Sequence, residues 1–266
     1  GVIKLYLSSY LKINQPHFPL PKIIAELESN DMKNIIVTGA NRGIGFEITK
    51  QYLELGYRVW ASYRDESSAK DLFSMTQSFH NLTPFEMDVT NQESVERAFN
   101  NFLQSKLKFE LLFNNAGIID WSDFDNVEPK SFADIYEVNV IGAFMVMRNS
   151  LKTLHQNSPM KSRIINLSSR LGSIELRGNT QLGGALAYQC SKAALNMLTR
   201  QTSLELKAKG ISVISMSPGW VKTEMGGKKA KYETDQSVTM ILSVLQSLAD
   251  EETGIFIGED GERIPW

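Results

Sequence analysis

Cysteine is nearly absent from this chain of 266 residues, and the one that occurs, Cys190, excludes an intrachain disulfide. Apolar runs stay shorter than the roughly 18 residues of a membrane-spanning helix. Charge of one sign is not in excess either, because the net charge is −2 and no long basic run occurs, which indicates neither nucleic acid nor a membrane as partner. The histidines, His17, His80 and His155, do not stand at metal-ligand spacing. We therefore expect a cytoplasmic protein without a metal site.

The first 31 residues differ in pattern from the rest of the chain. Pro16, Pro19 and Pro21 favour extended backbone there, and no small-residue cleavage site follows the apolar stretch, so a signal peptide is not indicated. We predict that residues 1–31 form an N-terminal extension that either lies on the surface or is disordered. The alternative is a docking arm for a partner subunit. Residues 32–266 are predicted to form one domain.

Apolar segments rich in β-branched residues alternate with longer amphipathic segments throughout this domain. Strands are predicted at 35–37, 57–62, 83–88, 109–113, 164–167, 211–216 and 254–257. Helices are predicted at 46–55, 67–79, 91–105, 129–154, 185–209 and 237–249. Thr90 and Glu93 form a capping-box pattern at the start of the third helix. The alternation predicts the α/β class: a single-domain doubly wound (Rossmann) parallel sheet with helices on both faces.

A glycine-rich turn follows the first predicted strand. Gly39, Gly43 and Gly45 stand between 35–37 and the helix 46–55, in a spacing Gly-x3-Gly-x-Gly. Glycine lets the backbone approach a pyrophosphate closely, and the following helix N-terminus offers unpaired N–H groups to that anion. The context of strand, turn and helix predicts dinucleotide binding.

Tyr188 and Lys192 lie four residues apart in a predicted helix and therefore share a face. A neighbouring ammonium favours the phenolate, so we expect Lys192 to lower the pKa of Tyr188 from its usual value of about 10. Such a phenol can donate a proton to a carbonyl oxygen. The same spacing is common on helices with no catalytic role, so a catalytic interpretation of the pair depends on the residues that accompany it.

Other polar residues fall at the carboxyl ends of predicted strands. Ser168 and Ser169 end the fifth strand, and Asp88 ends the third, where it is equally suited to capping a helix. Asn139 stands among apolar residues inside the long helix, where it needs a hydrogen-bonding partner. The run 114–117 brings small residues to the end of the fourth strand. Ligands of parallel sheets bind at this edge.

Together these motifs resemble the short-chain dehydrogenase/reductase family from residue 33 to the end of the chain. Thr38-Gly39-x3-Gly43-x-Gly45 resembles its cofactor loop, and residues 114–117 its Asn-Asn-Ala-Gly motif. The segments 171–174, 218–227 and 260–266 resemble the Sniffer/C-factor type of carbonyl reductase within it. The resemblance implies the catalytic residues Asn139, Ser169, Tyr188 and Lys192. It implies the cofactor-binding residues Gly39, Asn41, Arg42, Gly43, Ile44, Gly45, Arg64, Asp88, Val89, Asn115, Ala116, Gly117, Tyr188, Lys192, Pro218, Gly219, Val221 and Thr223.

The resemblance also implies a mechanism and a substrate lid. Tyr188 would donate a proton while Ser169 binds the same carbonyl oxygen, with Ser168 as the alternative serine. Lys192 would bind ribose hydroxyls, and Asn139 would support a water relay to it. The interval from Ser169 to Tyr188 is longer than is usual in the family, with the additional residues at 177–184. A lid segment is expected at 220–236, where apolar side chains would line the pocket or pack the lid.

The end of the second strand bears on the choice of cofactor. Arg64 and Arg42 are suited to a 2′-phosphate, which predicts NADP(H) over NAD(H). Asp65 would instead favour NAD by binding the ribose 2′-OH. We predict NADPH-dependent reduction of an aldehyde, ketone or quinone. The alternatives are alcohol oxidation by the same residues and a cofactor-binding signalling protein of C-factor type. A small-molecule carbonyl is the expected partner, and a homodimer or homotetramer is compatible with the family.

Overall fold

The computed structural model describes residues 32–156, 162–178 and 184–266. The predicted N-terminal extension, 1–31, lies outside the described residues. So do residues 179–183, which belong to the lengthened interval before Tyr188. None of the described helices has the length and apolar character needed to cross a membrane.

The described residues form a parallel sheet of seven strands. The strands are β1 Asn34–Val37, β2 Arg58–Tyr63, β3 Leu82–Glu86, β4 Leu111–Asn114, β5 Ser162–Leu167, β6 Ile211–Ser217 and β7 Phe256–Gly258. Their order is β3-β2-β1-β4-β5-β6-β7. The order reverses between β1 and β4, and a doubly wound sheet opens its ligand crevice at that point.

Helices connect the strands along the chain. They are α1 Gly43–Glu54, α2 Lys70–Met75, α3 Gln92–Gln104, α4 Pro129–Tyr136, α5 Ala143–Ser150, α6 Leu186–Leu206 and α7 Thr234–Ser247. Short 3-10 turns occupy Glu66–Ser68, Arg170–Gly172 and Lys207–Lys209, and a π-helical turn occupies Glu137–Gly142.

The sheet is covered on both faces, as its strand sequences require. In β1, Ile35 and Val37 join the apolar cluster formed with α1, α2 and α7, whereas Ile36 joins the cluster formed with α3, α5 and α6. Successive side chains of a strand point to opposite faces, so an all-apolar strand needs a core on each side. The predicted fold class is therefore confirmed.

Three predicted helical features differ in detail. The helix predicted at 129–154 is divided by the π-helical turn between α4 and α5. The helix predicted at 67–79 is α-helical only over Lys70–Met75. The capping box is wrong by one residue: Asn91 is the N-cap of α3 and its side chain accepts a hydrogen bond from Ser94 N, while Thr90 bonds to Asp88.

Candidate active site

The two halves of the sheet are joined by hydrogen bonds at the carboxyl ends of β1 and β4. Thr38 Oγ1 accepts hydrogen bonds from the backbone N–H groups of Asn115 and Ala116, both at 3.1 Å. Asn115 Nδ2 in turn donates to the carbonyl oxygens of Thr38 and Gly39, both at 2.9 Å. These bonds fix the glycine loop relative to the Asn-Asn-Ala-Gly motif, 114–117.

The glycine loop has no room for side chains at two of its positions. A Cβ on Gly45 would lie 2.3 Å from Asn115 Nδ2 and 2.5 Å from the Gly39 carbonyl oxygen. Gly39 has φ +61°, and a Cβ there would lie 3.0 Å from Ala116 Cα. Ile44 packs against the α1 side of the core. The glycines thus allow β1, the loop and β4 to approach one another at the switch point of the sheet.

Helix α1 begins in this loop without a side-chain cap. Arg42 is its N-cap residue, and its side chain makes no capping hydrogen bond. An α-helix leaves its first N–H groups without intrahelical partners, and its N-terminus carries partial positive charge. The start of α1 is therefore suited to an anionic group such as a pyrophosphate.

Asn139 lies in the π-helical turn and is almost fully buried, with 1% of its surface exposed. Its side chain bonds to both backbone groups of Ile118: Oδ1 accepts from N at 2.8 Å, and Nδ2 donates to O at 2.9 Å. Nδ2 also donates to Ser191 Oγ at 3.0 Å. A π-turn widens a helix locally and often marks a functional site. Here it orients the amide toward the loop that follows β4.

Tyr188, Ser169 and Lys192 meet at the carboxyl end of β5. The Tyr188 hydroxyl and the Ser169 side chain are hydrogen-bonded. Lys192 Nζ donates to the Leu167 carbonyl oxygen at 2.8 Å and lies 5.5 Å from the centre of the Tyr188 ring. A Cβ on Gly117 would lie 3.2 Å from Asn139 Oδ1 and 3.7 Å from Lys192 Nζ. Gly117 therefore lies between Asn139 and Lys192, and Tyr188 and Ser169 lie on the other side of Lys192.

Burial sets the protonation of the tyrosine and the lysine. It raises the pKa of Tyr188 to about 12, and the hydrogen bond from Ser169 opposes this rise in part. It lowers the pKa of Lys192 from 10.5 to about 8. The expectation that Lys192 lowers the pKa of Tyr188 is wrong for this structure: the pKa is raised, because removal of the phenol from water disfavours the phenolate.

The two serines after β5 have different partners. Ser168 is buried, and its Oγ donates to Asn196 Oδ1 of α6 at 2.7 Å. Ser169 bonds to Tyr188, and its Oγ also accepts from Leu171 N at 3.1 Å. Ser169 is therefore the serine beside the tyrosine, and Ser168 serves the packing of α6 against the sheet.

The segment after β6 folds over the glycine loop. Its tight turn depends on Gly219, which has φ +76°, and Val221 is buried. The Pro218 carbonyl oxygen accepts from Ser237 Oγ at 2.7 Å. Thr223 Cγ2 would lie 3.6 Å from a Cβ on Gly43, so the start of the segment expected to form the lid (220–236, called the lid segment below) touches the loop before α1.

The charged residues at the mouth of this cleft are exposed. Arg42 forms an ion pair with Glu224, and Arg64 Nε lies 3.9 Å from Asp65 Oδ2. Asn41 Nδ2 donates to Ser68 Oγ at 3.1 Å, which fixes the glycine loop to the turn after β2.

Asp88 and Val89, after β3, have separate structural contacts. Asp88 Oδ1 accepts from the backbone N–H of Thr90 at 2.9 Å and from its hydroxyl at 2.8 Å. Val89 packs against Gly142, where a Cβ would lie 3.0 Å from both Val89 Cγ2 and Val89 O. Asp88 thus orders the turn into α3, and Val89 packs beneath the π-helical turn.

The sequence matches the model of the short chain dehydrogenase family over residues 33–234. The chain belongs to this family. Among the relatives of this short-chain dehydrogenase, the C-signal protein of Myxococcus xanthus is 37% identical over 158 residues, which are 59% of this chain and 92% of that protein. An uncharacterized oxidoreductase of Schizosaccharomyces pombe is 30% identical over 254 residues, 88% of this chain and 98% of that protein. The chain is accordingly an oxidoreductase of the short-chain dehydrogenase/reductase type.

Solved structures of carbonyl reductases share its architecture. The NADPH-bound carbonyl reductase from chicken fatty liver superposes with a TM-score of 0.82 at 34% identity, covering 88% of this chain and 99% of that one. The carbonyl reductase Sniffer of D. melanogaster has a TM-score of 0.82 at 31% identity, covering 89% of this chain and all of that one. These similarities confirm the resemblance to the Sniffer branch of the family.

Two contributors to the site were not among the residues predicted for it. Ser191 holds the Asn139 amide, and Glu224 pairs with Arg42. Thr38, which was expected only as part of the cofactor-loop motif, also joins β1 to β4. Ser191 is detectable in principle, because it follows Tyr188 by three residues on the same helix. The pairing of Glu224 has no local signal, since 182 positions separate it from Arg42.

Proposed function

We propose that this protein is an NADPH-dependent carbonyl reductase that converts an aldehyde, ketone or quinone to an alcohol. The observation that carries the proposal is the hydrogen-bonded pair of Ser169 and Tyr188, with buried Lys192 beside it, at the carboxyl end of the sheet. Binding of a dinucleotide alone does not require a protonated phenol next to a second hydroxyl, whereas reduction of a carbonyl does.

The residues present fit a nicotinamide dinucleotide. The uncapped start of α1 and the side-chain-free positions Gly39 and Gly45 suit the pyrophosphate, and Lys192 suits the ribose hydroxyls. Arg42 and Arg64 suit a 2′-phosphate. When bound, the reduced cofactor supplies the hydride. The similarity to the chicken carbonyl reductase, whose crystal structure contains NADPH, supports the same choice of cofactor.

In this proposal Tyr188 supplies the proton and Ser169 supplies a hydrogen bond to the same carbonyl oxygen. The pKa of Tyr188, raised to about 12 by burial, keeps the phenol protonated at neutral pH, so it enters the reaction as a donor. Ser169 stabilises the negative charge that develops on that oxygen. Lys192 stays close to its point of ionisation, with a pKa of about 8, and is therefore suited to passing a proton back to Tyr188.

The proposed substrate carries an apolar group. Large apolar side chains are exposed on loops that follow three neighbouring strands: Trp121 and Phe124 after β4, Ile174 after β5, and Trp220 after β6. All these loops leave the carboxyl edge of the sheet, where the candidate catalytic residues lie. Exposed apolar surface of this kind is typical of ligand-binding clefts.

The proposal is tested by measuring NADPH oxidation with quinones, aromatic aldehydes and ketones, beside Tyr188→Phe and with NADH in parallel. We expect turnover with NADPH that Tyr188→Phe abolishes, and an Arg64→Gln variant whose KM rises for NADPH and not for NADH. Full turnover by Tyr188→Phe would refute the proton donor, and a preference for NADH would indicate that Asp65 determines the cofactor. Oxidation of the corresponding alcohols by the same residues is the reverse reaction.

A signalling role is the second candidate, supported by the similarity to the C-signal protein of Myxococcus xanthus. In that case cofactor binding would be the property that matters. Normal NADPH binding without turnover on any carbonyl of the panel would favour it.

We also propose that the protein forms a homodimer. The outer face of α6 exposes Met197 and Leu204, seven residues apart, and the neighbouring helical segment exposes Ile141 and Phe144. Adjacent exposed apolar residues of this kind are typical of an interface between subunits.

A further inference from the structure

An ion pair connects the glycine loop to the lid segment. The Arg42 guanidinium, which precedes α1, bonds to the Glu224 carboxylate, which follows β6, across 182 positions of sequence. The contact of Thr223 with Gly43 brings the same two segments together. The pair therefore lies at the mouth of the cleft where the dinucleotide is proposed to bind.

Among the described residues, Arg42 forms its ion pair with the lid segment and not with the end of β2. Its described carboxylate partner is Glu224, whereas Arg64 lies closest to Asp65, at 3.9 Å. The other charged pair of the lid segment, Lys222 with Glu233, does not include Arg42. A 2′-phosphate bound by Arg42 together with Arg64 would compete with Glu224 for the Arg42 guanidinium.

We propose that Glu224 is a specificity-determining residue that competes with the 2′-phosphate of NADP(H) for Arg42. The inference rests on the proposed function, because it requires that Arg42 binds that phosphate. Glu224 weakens binding of the phosphorylated cofactor and leaves binding of NAD(H) unchanged, since NAD(H) has no 2′-phosphate. Glu224 therefore makes the ratio of the affinities for NADP(H) and NAD(H) smaller than the two arginines alone would produce.

The exposure of the pair makes the exchange feasible. The side chains are 67% and 80% exposed, and exposed ion pairs contribute little to stability because water screens them. A phosphate carries more charge than a carboxylate and accepts more hydrogen bonds from a guanidinium. A bound phosphate can thus replace Glu224 as the acceptor for Arg42. The lid segment then loses this ionic contact with the glycine loop.

The test uses cofactor fragments that lack the nicotinamide, so that catalysis does not enter the measurement. Dissociation constants of 2′,5′-ADP and 5′-AMP are measured by calorimetry for the wild type, Glu224→Gln, Arg42→Gln and the double variant. Glu233→Gln is the matched control, because it removes a negative charge from the same segment without touching Arg42. We expect Glu224→Gln to tighten 2′,5′-ADP binding by about two- to fivefold, with 5′-AMP and the control unchanged.

Each other result has a distinct meaning. If both fragments tighten equally, Glu224 acts as a general barrier at the cleft and the competition is refuted. If Glu224→Gln still changes 2′,5′-ADP binding in the Arg42→Gln background, the effect does not act through Arg42 and the inference also fails. If the wild type binds 2′,5′-ADP no more tightly than 5′-AMP, the proposed 2′-phosphate site itself is wrong. If Arg42→Gln weakens 2′,5′-ADP and Glu224→Gln has no effect, only the competition is refuted.

Discussion

Ser168 and Ser169 are neighbours of identical chemistry whose hydroxyls have different partners. We expect Ser169→Ala to lower kcat/KM by about 10²- to 10³-fold, because it removes a donor to the developing oxyanion. Ser168→Ala should leave kcat/KM nearly unchanged and lower the free energy of unfolding by about 1 kcal/mol, since it breaks the buried bond to Asn196. Steady-state kinetics and urea unfolding of both variants check this. Equal losses of activity would contradict the assignment of Ser169.

Burial of Lys192 makes the free energy of unfolding increase with pH. Its pKa is about 8 in the folded protein and 10.5 when exposed, so between these values the unfolded chain binds a proton that the folded protein does not. Stability therefore rises with pH in this window, by about 2 kcal/mol between neutral pH and pH 10. We expect this gain in the wild type and not in Lys192→Met, measured as the difference between their free energies of unfolding in urea.

The comparison with Lys192→Met removes the contributions of other titrating groups, because both proteins contain them. A difference between the two proteins that stays constant across the window would contradict a lowered pKa for Lys192. The variant is also expected to lose turnover, so the same buried ammonium that lowers stability at neutral pH is needed for the proposed reaction.

The residues of the candidate site were accessible to sequence analysis to different degrees. Tyr188 and Lys192 are close on one helix, so their spacing alone predicts a shared face. The pKa of Tyr188 was not predictable in its direction, because burial depends on the packing of the whole cleft. The pairing of Arg42 with Glu224 depends on how the segment after β6 folds back over the glycine loop, and no local pattern encodes that.

At the scale of elements, the turn between β1 and α1 depends on the absence of a side chain at Gly45. We expect Gly45→Ala to weaken dinucleotide binding about tenfold or more, because its Cβ would displace Asn115 and the Gly39 carbonyl oxygen from the loop. Gly56→Ala is the matched control: Gly56 has φ +84° and no atom within 4 Å of an added Cβ. The control should lose about 1 kcal/mol of stability and keep its affinity. Fluorescence titration with NADPH distinguishes the two, and equal affinities would contradict the role of Gly45.

Some features of the helix predicted at 129–154 follow from its local sequence, and others depend on tertiary contacts. Its helical character and its start at Pro129 follow from the sequence, and α4 begins there. The π-helical turn does not, because intrinsic propensities do not favour it. The bonds from Asn139 to Ile118 and Ser191 accompany the turn, and both partners belong to other segments. The sequence therefore predicted a partner for Asn139 but not the backbone that presents the amide.

At the scale of the whole molecule, the outer face of α6 is the surface on which the proposed dimer depends. Leu204→Glu places a charge on this face, so we expect it to shift the protein from dimer to monomer in light scattering coupled to size exclusion. Exposed Cys190 stands seven residues before Met197 and should label faster with maleimide in the variant if the interface covers it. A monomeric wild type would refute the dimer. Gln104→Glu, which adds the same single charge at an exposed position of α3, is the control for added charge.

The class of the fold was predictable because the alternation of strands and helices recurs along the whole domain and each βαβ unit has a fixed hand. The strand order follows from the same rule once the reversal between β1 and β4 is known. The mutual placement of the loops at the carboxyl edge was not predictable, since it depends on contacts between distant segments.

The bonds between Thr38 and Asn115 join residues 77 positions apart, so the cleft exists only after β4 has paired with β1. Strands β1, β2 and β3 are consecutive and can pair earlier, because shorter chain closures cost less entropy. During refolding, the backbone signal of the sheet should thus recover before the capacity to quench or enhance NADPH fluorescence. The cleft is consequently a reporter of the pairing of β4 with β1, and a variant slow in that step would look structured while still unable to bind.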